Sequence, residues 1–125
     1  MKVANPIILE SDEALSEFIV RIIQEKGGKD IIKLNLTQIT DAVVDYFIIC
    51  HADSTTHVKS LGDNIEYQLK EILKSLNLHV EGRNNGEWVL IDVGNILVHI
   101  FLAEKRAFYQ LEDLWSDAII KEYDN

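Results

Sequence analysis

Apolar residues fill most positions of two short stretches of the chain that are joined by a two-residue turn. Residues 88–93 and residues 96–101 have this pattern, and Gly94 with Asn95 lies between them. A two-residue loop that contains glycine is typical of a tight β-hairpin, and its length fixes which residues pair. Val93 is therefore predicted to face Ile96, and the side chains of the two strands divide between two faces.

The two predicted faces of this hairpin differ in composition. One is wholly aliphatic, as expected for a core, and consists of Val89, Ile91, Val93, Ile96, Val98 and Ile100. The other, the mixed face, pairs Trp88 with Phe101, Leu90 with His99, and Asp92 with Leu97. Aromatic side chains are enriched at the centres of protein interfaces, so one interpretation is that the mixed face binds a partner. The other interpretation is that the helix that follows covers it.

Three other stretches have apolar residues at helical spacing and predict α-helices. The first begins after Ser11, a suitable N-cap, and ends at Gly27. The second is long and follows Ser54, which is also a suitable N-cap. The third covers residues 107–118 and has a predicted break near Gln110.

Strand patterns complete an α/β arrangement. Residues 32–37 alternate and predict a half-buried strand, whereas residues 45–50 are nearly all apolar and predict an interior strand. Cys50 lies in this run and is interpreted as a small buried hydrophobic residue, not as a nucleophile. With a short strand near residues 79–83 and the hairpin, we predict a mixed sheet of about five strands with flanking helices. The long helix predicts a crossover, so part of the sheet is predicted to be parallel.

Length and composition narrow the class of protein. The 125 residues suit a single domain spanning residues 1–125, with loosely ordered ends at 1–10 and 120–125. The net charge of −9 argues against sequence-independent nucleic-acid binding and favours a basic partner. The single cysteine cannot form an internal disulfide, which predicts a reducing, cytoplasmic setting. The sequence has no signal peptide and no apolar run of membrane-spanning length, so no membrane partner is expected.

No set of residues forms a recognisable catalytic or metal-binding motif. The four histidines show no metal-binding spacing, so neither a metal nor a cofactor is expected. His99 and Asp92 are predicted to be diagonal neighbours across the hairpin. They suit either an acid–base pair or, more simply, a buried histidine oriented by a carboxylate. The loop at residues 51–54 lacks the glycines that let a backbone approach phosphate closely.

Three segments of the sequence resemble the ribosomal silencing factor family, also called RsfS or Iojap. They are DYFIIC at residues 45–50, GEWVLIDVGNILVHIF at 86–101 and RAFYQLEDLW at 106–115. The resemblance implies a small α/β protein that is similar in fold to nucleotidyltransferases but lacks their activity. It also implies binding to large-subunit ribosomal protein fourteen, where the large subunit meets the small one. Such binding would block subunit joining and repress translation when nutrients are short.

The resemblance also implies which residues contact the partner. The expected set lies in the hairpin and the segment after it, and consists of Trp88, Asp92, His99, Phe101, Tyr109, Leu111, Glu112 and Trp115. Asn95 departs from the family, whose members usually have an acid at that position. Because the mixed face is so apolar, we also predict a homodimer that covers it in the free protein. The alternative to a binding protein is a nucleotidyltransferase-like enzyme with a site near His51–Ser54 and Asp92.

Overall fold

A computed structural model describes residues 11–73 and 78–124. In these ranges the α-helices are α1 (Asp12–Glu25), α2 (Thr55–Ile72) and α3 (Ala103–Tyr109). The strands are β1 (Lys29–Asn35), β2 (Tyr46–Ala52), β3 (His79–Glu81), β4 (Trp88–Val93), β5 (Ile96–Leu102) and β6 (Ile119–Glu122). A 3₁₀-helix, Leu111–Trp115, follows α3. The prediction for residues 1–10 concerns a part of the chain outside the described residues.

Both predicted N-caps are confirmed. The Ser11 hydroxyl accepts a hydrogen bond from the backbone N–H of Ala14 at 3.0 Å, and the Ser54 hydroxyl accepts one from that of His57 at 3.1 Å. Each cap satisfies a backbone donor that the first helical turn leaves unpaired. None of the described helices is long and apolar enough to cross a membrane.

The described strands form one mixed sheet in the order β3-β4-β5-β2-β1-β6. The only parallel neighbours in this part of the chain are β2 and β5, and the other neighbouring strands are antiparallel. His51 pairs with Phe101, so β2 and β5 end at the same edge of the sheet. The α/β class and the mixed sheet are therefore confirmed, with six described strands in place of about five.

The hairpin has the predicted register. Val93 pairs with Ile96, and Trp88 pairs with Phe101. Gly94 begins the turn with a φ of +61°, a conformation that glycine adopts at no steric cost. The two-residue loop thus sets the side-chain faces as the sequence indicated.

The two sides of the sheet carry separate cores. On one side, the aliphatic face of the hairpin packs with buried residues of α1 and α2, including Ile19 and Leu61. On the other side, Phe47, Ile49 and Phe101 form a smaller core that is partly covered by Leu111 and Trp115. The mixed face of the hairpin belongs to this second side.

The C-terminal end corrects one prediction. Residues 120–122 are not loosely ordered, because β6 pairs with β1 along Ile32–Asn35. The Tyr123 hydroxyl also donates a hydrogen bond to Glu17 on α1. This strand escaped prediction because it is only four residues long and its partner lies about 90 residues earlier in the chain.

Gly82 gives a test of how the backbone beside Trp88 is positioned. Its φ is +85°, and an added Cβ would lie 1.9 Å from the Trp88 carbonyl oxygen. Gly94 has a similar φ of +61° but open space around it. We expect Gly94→Ala to lower the free energy of unfolding by about 1 kcal/mol through backbone strain alone. Gly82→Ala should cost at least about 2 kcal/mol more, measured by urea unfolding. Equal losses in the two variants would contradict this close approach.

Candidate protein-interaction face

α3 and the 3₁₀-helix form a bent segment, residues 103–115, that lies over the second core and is called here the capping segment. The bend is at Gln110, whose φ of 47° and ψ of 50° place it in the left-handed region. The predicted break near Gln110 is therefore confirmed. The bend divides the apolar residues of this segment between the sheet and the outer surface.

Aromatic rings stack from the sheet toward the surface. Phe101 is fully buried, and its ring centroid lies 4.8 Å from that of Trp88. Trp88 is half-buried and lies 4.9 Å from the ring of Tyr109 on the capping segment. Tyr109 is 46% exposed, so the stack ends at the surface. Some residues of the mixed face are thus covered by the following helix, and others are exposed where a partner could bind.

His99 is held by an indole and not by a carboxylate. The Trp88 N–H donates a hydrogen bond to His99 Nδ1 at 3.1 Å, and His99 Nε2 has no hydrogen-bond partner among the described residues. The predicted pairing with Asp92 is therefore wrong. Burial lowers the pKa of His99 to about 4, so the ring is neutral at physiological pH, with its proton on Nε2.

This buried histidine predicts a pH-dependent stability. Unfolded His99 binds a proton below about pH 6.5, whereas the folded form resists protonation until about pH 4. Its contribution is therefore fully present above pH 6.5 and is lost as the pH falls to 4, by about 3 kcal/mol. The free energy of unfolding, measured with urea, should therefore fall less between pH 7 and pH 4 in His99→Gln than in the wild type. His79→Gln, at an exposed position, is the control, and identical pH slopes for His99→Gln and wild type would contradict the assignment.

The most exposed apolar side chains of the capping segment are Phe108 and Leu114, at 78% and 73% exposed. Phe108 packs edge-on against Tyr109, with 5.1 Å between ring centroids. The helical spacing of residues 107–118 includes Phe108 and Leu114, but the sequence did not single them out as surface residues. The signal that could have found them was the break at Gln110, because a bend ends the continuity of a helical stripe.

The eight predicted contact residues do not all reach this surface. His99 and Phe101 are buried, so they support the face from below. The half-buried members are Trp88, Asp92, Leu111, Glu112 and Trp115, and the exposed member is Tyr109. Glu112 is engaged within the chain, since one of its carboxylate oxygens lies 3.5 Å from the Arg106 guanidinium.

The residues of the alternative enzyme site lie apart. His51 is at the edge of the sheet where Phe101 and Trp88 pair, whereas Asp92 is four residues further along β4, a distance of about 13 Å. Cys50 packs in the core on the helix side of the sheet, and burial raises the pKa of its thiol to about 12. Its interpretation as a buried hydrophobic residue is confirmed. Within residues 11–73 and 78–124, no three His, Cys, Asp or Glu side chains are grouped to hold a metal ion.

Comparison with known proteins gives consistent matches over most of the chain. Residues 9–125 match the family described as "Ribosomal silencing factor during starvation". The Halalkalibacterium halodurans ribosomal silencing factor is 33% identical over 86% of this chain and 91% of its own length. The Bacillus subtilis ribosomal silencing factor is 36% identical over 80% of this chain and 83% of its own length.

A crystal structure and a more distant relative are consistent with these matches. A Chromobacterium violaceum crystal structure is similar with a TM-score of 0.77 and 32% identity, covering 84% of this chain and 86% of that one. A mouse protein named "Mitochondrial assembly of ribosomal large subunit protein 1" is 26% identical over 80% of this chain. This chain covers 44% of that mouse protein.

Proposed function

The chain belongs to the ribosomal silencing factor family, and we propose that it represses translation by binding the large ribosomal subunit and blocking its joining to the small subunit. The partner on the large subunit is ribosomal protein fourteen, at the face that meets the small subunit. The protein acts by occupying this face and not by catalysis. The name of the mouse relative, which refers to the large subunit, supports the choice of subunit.

The observation that carries the proposal is the exposed apolar surface of Phe108, Tyr109 and Leu114. Large apolar side chains that are grouped on the surface of a folded domain mark sites of association, whereas singly exposed ones are common. Tyr109 packs on a stack of rings that continues through Trp88 to buried Phe101, which positions its side chain before a partner arrives. Preorganised aromatic anchors of this kind supply a large share of binding energy at interfaces.

Acidic residues surround this apolar centre and suit a basic partner. Glu104, Asp113 and Asp117 are exposed within or next to the capping segment, and the whole chain has a net charge of −9. Ribosomal proteins that contact RNA are basic, so the charges are complementary and would speed association. Asp113 and Asp117 suit this role better than Glu112, which is paired with Arg106.

Asn95 does not weaken the proposal. It lies in the hairpin turn, about 20 Å along the strands from Trp88. Its side-chain amide donates a hydrogen bond to the Asp12 carboxylate at 3.1 Å. An acid at position 95 would lie beside Asp12 and repel it, so asparagine suits the local contacts of this chain.

Cosedimentation with isolated subunits tests the proposed partner. Purified protein is mixed with large or small subunits, the mixtures are spun through sucrose, and the pellets are analysed for the protein. We expect saturable pelleting with large subunits that weakens as salt is raised, and none with small subunits. Equal pelleting with both subunits, or with neither, would contradict the proposal.

We also propose that the free protein is a homodimer that covers the same face. A two-fold contact is the commonest way for a protein to bury a self-complementary apolar patch. Sedimentation velocity is expected to give about twice the 14.3 kDa chain mass, and added large subunits should dissociate the dimer. A monomer at all concentrations, or a dimer that binds the large subunit intact, would rule out a shared face.

A further inference from the structure

The capping segment presents the proposed contact surface, yet neither of its two helices contains a buried residue. Short helices of five to seven residues do not hold their own conformation in water. Leu111 and Trp115 give the segment some packing on the second core. Its orientation nevertheless requires specific contacts with the sheet.

Arg106 makes these contacts. Its side chain is 11% exposed, and Nη1 donates hydrogen bonds to the backbone carbonyl of Asp30 at 2.7 Å and to that of Lys29 at 3.4 Å. The same Nη1 lies 3.0 Å from Nδ1 of His51 at the end of β2. On the other side, Nη2 donates to the Glu112 carboxylate at 3.5 Å. One guanidinium therefore joins the start of β1 and the end of β2 to both parts of the capping segment.

The backbone of the same residue fixes the bend. The Arg106 carbonyl accepts a hydrogen bond from the N–H of Gln110 at 2.9 Å, which ends α3 and begins the turn into the 3₁₀-helix. The main acceptor of the guanidinium, the Asp30 carbonyl, belongs to a residue with a φ of 48°. Non-glycine residues rarely adopt this left-handed conformation, and it persists where surrounding contacts hold it.

We propose that Arg106 is the positioning residue of the contact face: it locks the bend of the capping segment onto the edge of the sheet and so holds Phe108, Tyr109 and Leu114 in place for the partner. This inference rests on the proposed function of that face. Arg106 itself points inward and does not touch the partner. Its role is to let the surface bind as a preformed unit, without first ordering the segment.

The chemistry of the site favours arginine over lysine. The acceptors lie on opposite sides of the guanidinium, and a planar fork with five N–H donors reaches them together. A lysine ammonium is a single point and cannot bond to the Asp30 carbonyl and the Glu112 carboxylate from the same place. His51 suits this arrangement as an acceptor, because burial and the nearby Arg106 charge lower its pKa and keep the ring neutral.

Three variants test the proposal on the full chain. Arg106→Met keeps a flexible, unbranched stem but removes the guanidinium, and Arg106→Lys keeps the charge. Arg21→Met is the matched control, since Arg21 is exposed on α1, on the other side of the sheet. Hydrogen exchange of the free protein reports local order. Tryptophan emission adds a direct signal, because the two tryptophans of the chain, Trp88 and Trp115, both lie at this face.

We expect Arg106→Met to keep wild-type protection in the sheet, to exchange about tenfold faster or more across residues 106–118, and to show red-shifted emission. Its affinity for large subunits should fall about tenfold or more, Arg106→Lys should not restore it, and Arg21→Met should match the wild type. Wild-type exchange and emission in Arg106→Met would overturn the proposal, even if binding fell, since Arg106 would then contact the partner itself. Full rescue by lysine, or loss of protection throughout the sheet, would also overturn it. If the wild type fails to bind large subunits, the proposed function fails while exchange and emission still decide the role of Arg106.

Discussion

Replacing Phe108 and Leu114 together by alanine is expected to weaken binding to the large ribosomal subunit by at least about a hundredfold. Both side chains are more than 70% exposed, so their removal opens no cavity and should leave the melting temperature unchanged. In a bound complex, however, the partner would remove both side chains from water. Apolar anchors in such positions each contribute about 2 kcal/mol or more. Titration of labelled protein with large subunits gives the change in affinity.

Tyr67→Ala is the matched control for this variant. Tyr67 is 67% exposed on α2, which packs on the other side of the sheet. Its removal deletes a large exposed aromatic side chain, comparable to Phe108, but should not alter binding. Equal losses of affinity in the control and the double variant would mean that any exposed apolar side chain contributes to binding, wherever it lies. Wild-type affinity in the double variant would mean that the partner binds elsewhere.

Trp88→Ala is expected to have the largest effect on stability, lowering the free energy of unfolding by about 3 kcal/mol or more. Trp88 lies between Phe101 and Tyr109, and its N–H provides the hydrogen bond to buried His99. Alanine would leave a cavity and an unpaired acceptor inside the protein. Because Trp88 also supports Tyr109, binding to the large subunit should fall as well. Chemical denaturation and titration of the same sample separate the two effects.

Trp88→Phe serves as the comparison variant, since it keeps an aromatic ring in the stack and removes the indole N–H. It should cost about 1–2 kcal/mol, corresponding mainly to the lost hydrogen bond and some volume. A Trp88→Ala protein with wild-type stability but no binding would contradict the half-buried position. Trp88 would then be a pure contact residue.

Local signals in the sequence predicted the elements that depend on near neighbours. The Gly94-Asn95 turn sets the hairpin register because only one pairing suits a two-residue loop. The unbroken apolar run around Cys50 gave an interior strand because both of its faces are covered. The resemblance to ribosomal silencing factors then supplied the family, which the matches confirm.

What the sequence did not predict depends on contacts between distant parts of the chain. Lys33 alternates with apolar residues and should face solvent, yet it is buried, with its ammonium 2.9 Å from Glu13 and 2.6 Å from Glu17. No local pattern indicates that α1 would place two carboxylates there. Arg106 has one nearby partner, Glu112, but its other acceptors come from β1 and β2, some 55 to 76 residues earlier.

The candidate site was predicted as a region but not residue by residue. The family resemblance implied a contact surface in the hairpin and the segment after it, and Tyr109 of that segment packs on Trp88 of the hairpin. Alternation alone assigned Phe101 and Trp88 to the same face, but it could not show that Tyr109 would cover the first and leave part of the second exposed. How deeply a side chain on a sheet face is buried depends on the segment that packs over it. Hydrophobic periodicity does not encode that packing.

The most direct test of the central claim is subunit joining itself. Purified large and small subunits are mixed in magnesium concentrations that favour joining, with increasing amounts of the protein, and resolved on sucrose gradients. We predict that the wild type depletes the joined-ribosome peak and comigrates with intact large subunits, whereas the Phe108/Leu114 double variant leaves the peak unchanged. An undiminished joined-ribosome peak at saturating wild-type protein would contradict the account.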